Sequence, residues 1–285
     1  MKKIPLIFAL IVGLLTSAST AMAQTVNMSR YITLTVKKDS AIRLDFMAAS
    51  NGTPVRIVSG STTQDITVGT DWYDGGTPTN FTVTARASTM TVYGDLTGFG
   101  CEMNRANLTA LDPSHNTQLK WLYCYFNQLT SLDVSKNTQL TVLSCYSNQL
   151  TSLDVSKNTQ LTALGCRSNQ LTSLDVSKNT QLTELYCHSN QLTSLDVSKN
   201  TQLKKLYCHS NQLTSLDVSK NTELEGLNCA NNKLNSLDVS KNTQLEKLYC
   251  SGNKFTTATL DDIYCTLPDR TSETYGVIQP VYNSS

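Results

Sequence analysis

The sequence has no excess of charge of either sign. It holds 23 basic and 22 acidic residues, a formal net charge of +1, and removing Lys2 and Lys3 leaves 21 against 22. Proteins that bind nucleic acid or an anionic membrane surface usually carry a clear basic excess. The balance therefore argues against both kinds of partner, and we expect no nucleic-acid ligand.

Long apolar runs are also absent from most of the chain. The apolar run at the N-terminus follows Lys2 and Lys3, extends to Leu15 and is followed by Ala21-Met-Ala. It is shorter than the roughly 20 residues of a membrane-spanning helix, and it has the basic start and small-x-small site of a secretory signal peptide. We therefore predict a signal peptide over residues 1–23, no integral membrane span, and a secreted or cell-surface protein.

Histidine is scarce, with three in the chain, and this limits the chemistry. No local nucleophile motif accompanies the histidines, so we predict no enzymatic activity and no cofactor. The pairs Cys187-His188 and Cys208-His209 suggest a metal site, but consecutive residues of a strand point to opposite faces. Because zinc normally takes four ligands, we predict no metal site here.

Cysteine, by contrast, is frequent and regularly spaced. The chain has nine cysteines, and seven of them recur every 21 residues: Cys124, Cys145, Cys166, Cys187, Cys208, Cys229 and Cys250. A fixed period of this length predicts a solenoid, in which each unit buries its apolar side against its neighbours. Function must then depend on the positions that vary between repeats.

Each repeat follows the pattern Leu-x-x-Leu-x-Cys-x-x-Asn-x-Leu-x-x-Leu-x-Val-x-x-Asn-x-x, numbered here as positions 1 to 21. Its first half matches the leucine-rich-repeat pattern. An irregular repeat around Cys101 precedes the regular ones, so the array is predicted to span residues 96–255. The regular repeats begin at Leu119, Leu140, Leu161, Leu182, Leu203, Leu224 and Leu245.

Alternation along the strand decides which side chains face inward. Positions 4 and 6 point into the core, while positions 3, 5 and 7 face out. No stretch of the repeat is long enough for a helix, so we expect a curved horseshoe with a parallel β-sheet on its concave face and little or no helix on its convex face. Asn148, at position 9, is expected to bond backbone groups at the corner.

The cysteines of the array are predicted to be free thiols. In-register strands lie about 4.8 Å apart, whereas the Cβ atoms of a disulfide lie about 3.8 Å apart. Bridging neighbours would therefore pinch the sheet, and a buried cysteine behaves as a small hydrophobe.

The array has a segment on each side. Residues 24–95 alternate apolar and polar side chains between turn-forming clusters, which predicts a small antiparallel β cap. A small immunoglobulin-like binding domain is the alternative. Residues 256–285 are predicted to cap the other end, with a short helix from Leu260 to Leu267 ended by Pro268. Cys265 lies outside the regular spacing and has no obvious partner.

The 21-residue unit with its internal cysteines resembles the repeats of internalin J and related bacterial leucine-rich-repeat surface proteins. The resemblance covers residues 96–255. It implies a non-enzymatic protein of adhesion, biofilm formation or host-surface binding, with a protein ligand on a host or neighbouring cell surface.

The variable outward positions carry many aromatic side chains, which mark recognition surfaces when exposed. We predict a protein ligand on this face; a glycan ligand on the same aromatics and a purely structural spacer are the alternatives. The aromatics also suit cross-strand stacking that stiffens the sheet, and the histidines predict a change of binding between about pH 5 and 8. The candidate residues are Trp121, Tyr123, Tyr125, Phe126, Tyr146, Arg167, Tyr186, His188, Tyr207, His209 and Tyr249.

Position 15 is aspartate and position 18 is lysine in every full repeat but the last. We expect these two columns to offset each other as an exposed network of weak ion pairs. A calcium site on the aspartates is the alternative.

Overall fold

The computed structural model describes residues 25–71, 73–74, 77–78, 81–267 and 277–279. The predicted signal peptide, 1–23, lies outside the described residues. In the described part of the chain, no helix has the length and apolar character that crossing a membrane requires.

The N-terminal part consists of short strands arranged in antiparallel pairs. The strands are β1 (Tyr31–Val36), β2 (Ala41–Ala48), β3 (Thr53–Ser59), β4 (Thr62–Val68), β5 (Tyr73–Asp74), β6 (Thr77–Pro78), β7 (Phe81–Thr84), β8 (Thr89–Tyr93), β9 (Leu96–Gly100) and β10 (Leu108–Asp112). One sheet has the order β10-β1-β8-β3-β4, and β5 and β6 form a separate hairpin.

The repeats form a parallel sheet of three-residue strands. Each residue pairs with the one 21 positions further along, for example Leu143 with Leu164. This in-phase register follows from the constant repeat length, and the predicted leucine-rich-repeat solenoid is confirmed. The strands are β11 (Trp121–Tyr123), β12 (Val142–Ser144), β13 (Ala163–Gly165), β14 (Glu184–Tyr186), β15 (Lys205–Tyr207), β16 (Gly226–Asn228) and β17 (Lys247–Tyr249).

The parallel sheet does not stop where the regular repeats begin. Strand β9 pairs in parallel with β11, and β2 and then β7 extend the same sheet in antiparallel fashion. Phe46 on β2 and Phe99 on β9 are fully buried, with ring centroids 5.9 Å apart, at this junction. The N-terminal strands therefore share both a sheet and a core with the array.

The other end of the array is covered by α1 (Thr257–Thr266) and β18 (Val277–Gln279). Strand β18 pairs in parallel with β17 and is the edge strand of an 11-stranded sheet. Thr256 starts the helix, because its Oγ1 accepts a hydrogen bond from the Thr259 amide at 3.2 Å. Ile263 is buried, 3% exposed, and joins the core. The short helix predicted here is confirmed.

The inward assignment of the cysteines is also confirmed. Eight cysteines, from Cys101 to Cys250, are buried with free thiols, while Cys265 on α1 is free and exposed. Burial raises the pKa of the Cys166 thiol to about 12. These buried thiols are therefore protonated and act as small apolar groups.

Two columns of buried asparagine hold the turns together. At position 9, Asn148 Nδ2 donates to the carbonyls of Cys124 and Cys145 at 2.9 and 3.0 Å, and its Oδ1 accepts from the Leu129 amide at 3.0 Å. This confirms the predicted corner. At position 19, Asn158 is fully buried and donates to two carbonyls of the preceding repeat at 2.9 Å, those of Val134 and Asn137. The sequence pattern alone does not reveal that this asparagine is buried.

The expected offset between positions 15 and 18 is confirmed only as a weak attraction, in which Lys157, after the Ser156 amide, helps to lower the pKa of Asp154, and not as a network of contact ion pairs. Asp154 Oδ1 instead accepts a hydrogen bond from the Ser156 amide at 2.8 Å, which is an Asx-turn, and the other repeats do the same. Among the described residues, no ion pair joins the two columns. The aspartate oxygen satisfies the backbone of its own turn, and the lysine extends into solvent.

Candidate recognition surface

We call the outer side of the parallel sheet the concave face; it consists of positions 3, 5, 7 and 8 of each repeat. In the repeat at Leu140, Leu143 and Cys145 are fully buried, whereas Val142, Ser144 and Tyr146 are half-buried. All eleven candidate residues lie on this outward side. Their role in binding stays a prediction.

Three of the candidate aromatics form a compact group, the N-terminal cluster, of Tyr125, Phe126 and Tyr146. Tyr125 and Tyr146 stack with centroids 4.4 Å apart and an interplanar angle of 5°. Phe126 contacts Tyr146 edge-on at 5.3 Å and Tyr125 at 5.9 Å. The Arg167 guanidinium lies 4.2 Å from the Tyr146 ring centroid. Since Tyr146 lies between Tyr125 and Arg167 in strand order, both faces of its ring are covered.

Phe126 is unusual in backbone and in exposure. Its φ is +54°, in the left-handed region, where a bulky side chain is strained. The same position carries Ser147, Ser168, Ser189 and Ser210, with the same backbone. Phe126 is also 44% exposed, one of the few large apolar side chains in that state. The array therefore places a strained, exposed aromatic where a serine suffices for the fold.

The second group of candidates lies on β14 and β15. Tyr186 and Tyr207 meet edge-on with centroids 5.3 Å apart, and His188 stacks on His209 at 4.0 Å. The Tyr186 hydroxyl donates to Glu184 at 3.0 Å. Tyr249 is not part of this group, because Asn228 occupies the same position on β16 between Tyr207 and Tyr249.

The pKa values of His188 and His209 are lower than that of an ordinary histidine. Burial, followed by the nearby His209 and Arg167, lowers the pKa of His188 to about 4. Burial and Arg167 also lower the pKa of His209. His188 is therefore neutral between about pH 5 and 8 in the free protein, and the expected change of binding in that window stays a prediction. Among the described residues, no group of three or more histidine, cysteine or acidic side chains is arranged to hold a metal ion.

Sequence reasoning missed a buried pair of carboxyls at the N-terminal end of the concave face. Asp45 on β2 and Glu102 after β9 are 6% and 7% exposed, and Arg43 lies 3.4 and 3.5 Å from them. They meet across Gly100, where a Cβ would lie 2.7 Å from Glu102 Oε2. Only the antiparallel pairing of β2 with β9 brings these distant residues together. Glu102 follows Cys101 and therefore occupies position 7 of the irregular repeat. The repeat pattern alone could have placed it on the concave face.

The pair holds a proton near neutral pH. Burial, and then the neighbouring Asp45 as hydrogen-bond partner and as charge, raises the pKa of Glu102 to about 7, while Arg43 acts in the opposite direction. Asp45 Oδ2 and Glu102 Oε2 are buried acceptors without a hydrogen-bond donor among the described groups. A proton on Glu102 supplies that donor. Burial and Glu102 also raise the pKa of Tyr125 to about 12, so the pair adjoins the N-terminal cluster.

Comparison with known proteins agrees with this architecture. A family model described as leucine-rich repeats, in two copies, matches residues 117–158 and 180–221. No curated protein matches the chain. The fold, the matched repeats and the buried cysteines are those of leucine-rich-repeat proteins, a class that typically serves as non-enzymatic protein-interaction modules.

Within that class the chain is similar to internalins, and the resemblance noted from its repeats is confirmed. The functional domain of InlJ from Listeria monocytogenes, which includes a cysteine ladder, is 34% identical over 65% of this chain and 50% of its own, with a TM-score of 0.38. The chain thus spans about half the length of that domain.

Two further solved structures are similar in fold. The internalin inlF of Listeria monocytogenes is 25% identical over 60% of each chain, with a TM-score of 0.50. A leucine-rich-repeat protein of Leptospira interrogans is 25% identical over 54% of this chain and 42% of its own, with a TM-score of 0.52.

Proposed function

We propose that this is an exported, non-enzymatic recognition protein that binds a protein partner through its concave face, in adhesion or cell–cell contact. Phe126 carries the proposal. It is exposed and backbone-strained at a position where serine serves in other repeats. Strain of this kind concentrates at functional sites, and binding energy concentrates in a few aromatic and arginine anchors. The signal peptide predicted over residues 1–23 supports the export.

The geometry of the aromatics favours a protein over a glycan. Sugars stack on the open face of an aromatic ring, but Tyr146 has one face covered by Tyr125 and the other by Arg167. Tyr146 therefore presents mainly its edge to a ligand, beside the exposed side chain of Phe126. Such a surface suits an apolar side chain of a protein partner, with Arg167 at its border.

The proposal is tested with Phe126→Ser in the full chain. Loss of two edge-on ring contacts, at about 0.5–1.5 kcal/mol each, costs about 1–3 kcal/mol, and relief of backbone strain of similar size offsets it. We therefore expect unchanged stability and a partner that is no longer retained in pull-downs from host and self-surface extracts. The convex pair Lys178→Ala with Lys199→Ala is the control and should retain the partner. If the convex variant abolishes retention while Phe126→Ser does not, the concave face is not the binding surface.

A further inference from the structure

Strand β13, between the two aromatic groups of the concave face, carries the small residues Ala163 and Gly165 where the neighbouring strands carry larger ones. We call the space above these two residues the hollow. A Cβ on Gly165 would lie 3.5 Å from Ser144 Oγ, an ordinary contact, and the φ of Gly165 is not positive. Neither packing nor backbone therefore requires glycine here, and its effect is to leave space open to solvent.

One cation borders this hollow without an acidic partner. Arg167 follows β13 with Cys166 between them, is half-buried, and has its guanidinium over the Tyr146 ring. Among the described residues, no carboxylate forms an ion pair with it. A guanidinium fixed over a ring is pre-organised, so a ligand loses little freedom in pairing with it.

An acid on the neighbouring repeat does not compensate Arg167. Glu184, on the adjacent strand, is held by Lys205 Nζ at 2.8 Å and by the Tyr186 hydroxyl at 3.0 Å. The other neighbours on the same row are His188 and His209, both stacked and neutral near pH 7. The positive charge of Arg167, beside the hollow, is therefore not neutralised by these neighbours.

We propose that the hollow over Ala163 and Gly165 receives a carboxylate side chain of the partner protein, an Asp or Glu, which pairs with Arg167. This inference rests on the proposed function, because it names what the partner presents beside the N-terminal cluster. Charge complementarity selects an anion, and the planar guanidinium can donate two parallel hydrogen bonds to a carboxylate in a bidentate geometry. The partner therefore offers an acidic residue next to the apolar one that meets Phe126.

The test uses a defined probe and does not depend on the partner. N-acetyl-glutamate amide is titrated into the ¹⁵N-labelled full chain, with N-acetyl-glutamine amide as the neutral control and inorganic phosphate as a second anion. We expect the glutamate probe to shift the amide signals of Ala163, Gly165 and Arg167 at millimolar concentrations. The glutamine probe should leave them in place. No shift at these amides, or a larger response to phosphate, overturns the carboxylate assignment.

Two variants separate the charge from the space. Arg167→Gln should weaken the probe at least about tenfold, the loss of a charge-assisted pair. Gly165→Tyr should do the same by filling the hollow, and it should fold because β14 and β15 carry tyrosine at this position. Lys178→Gln, on the convex side, should leave the titration unchanged. Equal affinities in all variants refute the site, while the proposed function stands or falls separately on Phe126→Ser.

Discussion

The sharpest test of the structure is the pH dependence that Glu102 gives to stability. The carboxyl changes from an ordinary pKa of 4.5 in the unfolded chain to about 7 in the folded protein. Between these values the folded protein holds a proton that the unfolded chain has released. Its stability therefore falls as the pH rises from about 4.5 to 7, and stays low above that.

The size of the effect follows from the two pKa values. A difference of about 2.5 pH units at 1.36 kcal/mol each is on the order of 3 kcal/mol of unfolding free energy. Glu102→Gln removes this loss, because the amide has no proton to release and its NH₂ group can donate to Asp45. We expect the variant to match the wild type near pH 5 and to exceed its stability by up to about 3 kcal/mol at pH 8.

Urea unfolding at pH 5, 6, 7 and 8 measures this difference. Glu223→Gln, which removes an exposed carboxyl of the array, is the matched control and should keep the wild-type slope. Parallel pH profiles of wild type and Glu102→Gln would refute the buried pair.

The aspartates of the turns affect stability at lower pH. The Ser156 amide lowers the pKa of Asp154, so the stabilisation by Asp154 is present above pH 3.8 and is lost on acidification.

Three further predictions concern the repeat itself. Cys187→Ser should destabilise by about 1–3 kcal/mol, because it buries a hydroxyl without a partner, and Tyr186→Ser should cost much less; equal costs in urea melts would overturn the inward assignment. Alkylation of the folded protein without reductant should label Cys265 alone, and alkylation after denaturation should label all nine cysteines, as mass spectrometry would report. Asn158→Ala should cost about 1–3 kcal/mol by removing two buried hydrogen bonds, each worth about 0.5–1.5 kcal/mol, whereas Lys157→Ala should stay within about 0.5 kcal/mol.

The sequence predicted the array well because one number, the period, determines the register of every strand. Once Leu143 pairs with Leu164, alternation assigns the inward and outward positions of all repeats. The same regularity made the role of Asn158 hard to see. Its carbonyl partners lie 24 and 21 residues away, and a turn-like composition does not reveal burial.

The parts that the sequence did not predict depend on contacts outside the period. Asp45 and Glu102 meet through one antiparallel strand pairing, which lies outside the repeat pattern and so cannot be predicted from it. The pKa of His188 depends on the stacked His209 and on burial, neither of which composition specifies. The choice of Ser156 over lysine as partner for Asp154 is a matter of local turn geometry.

The continuous sheet from β7 to β18 also determines how the protein responds to being pulled at its two ends. Tension along the stack acts on the hydrogen bonds between neighbouring strands, so the strands at one end separate before those further in. Each repeat that peels away frees 21 residues, which extend to about 70 Å, against about 4.8 Å in the stack. Under load the molecule therefore lengthens in equal steps while the remaining repeats, and the surface they carry, stay folded.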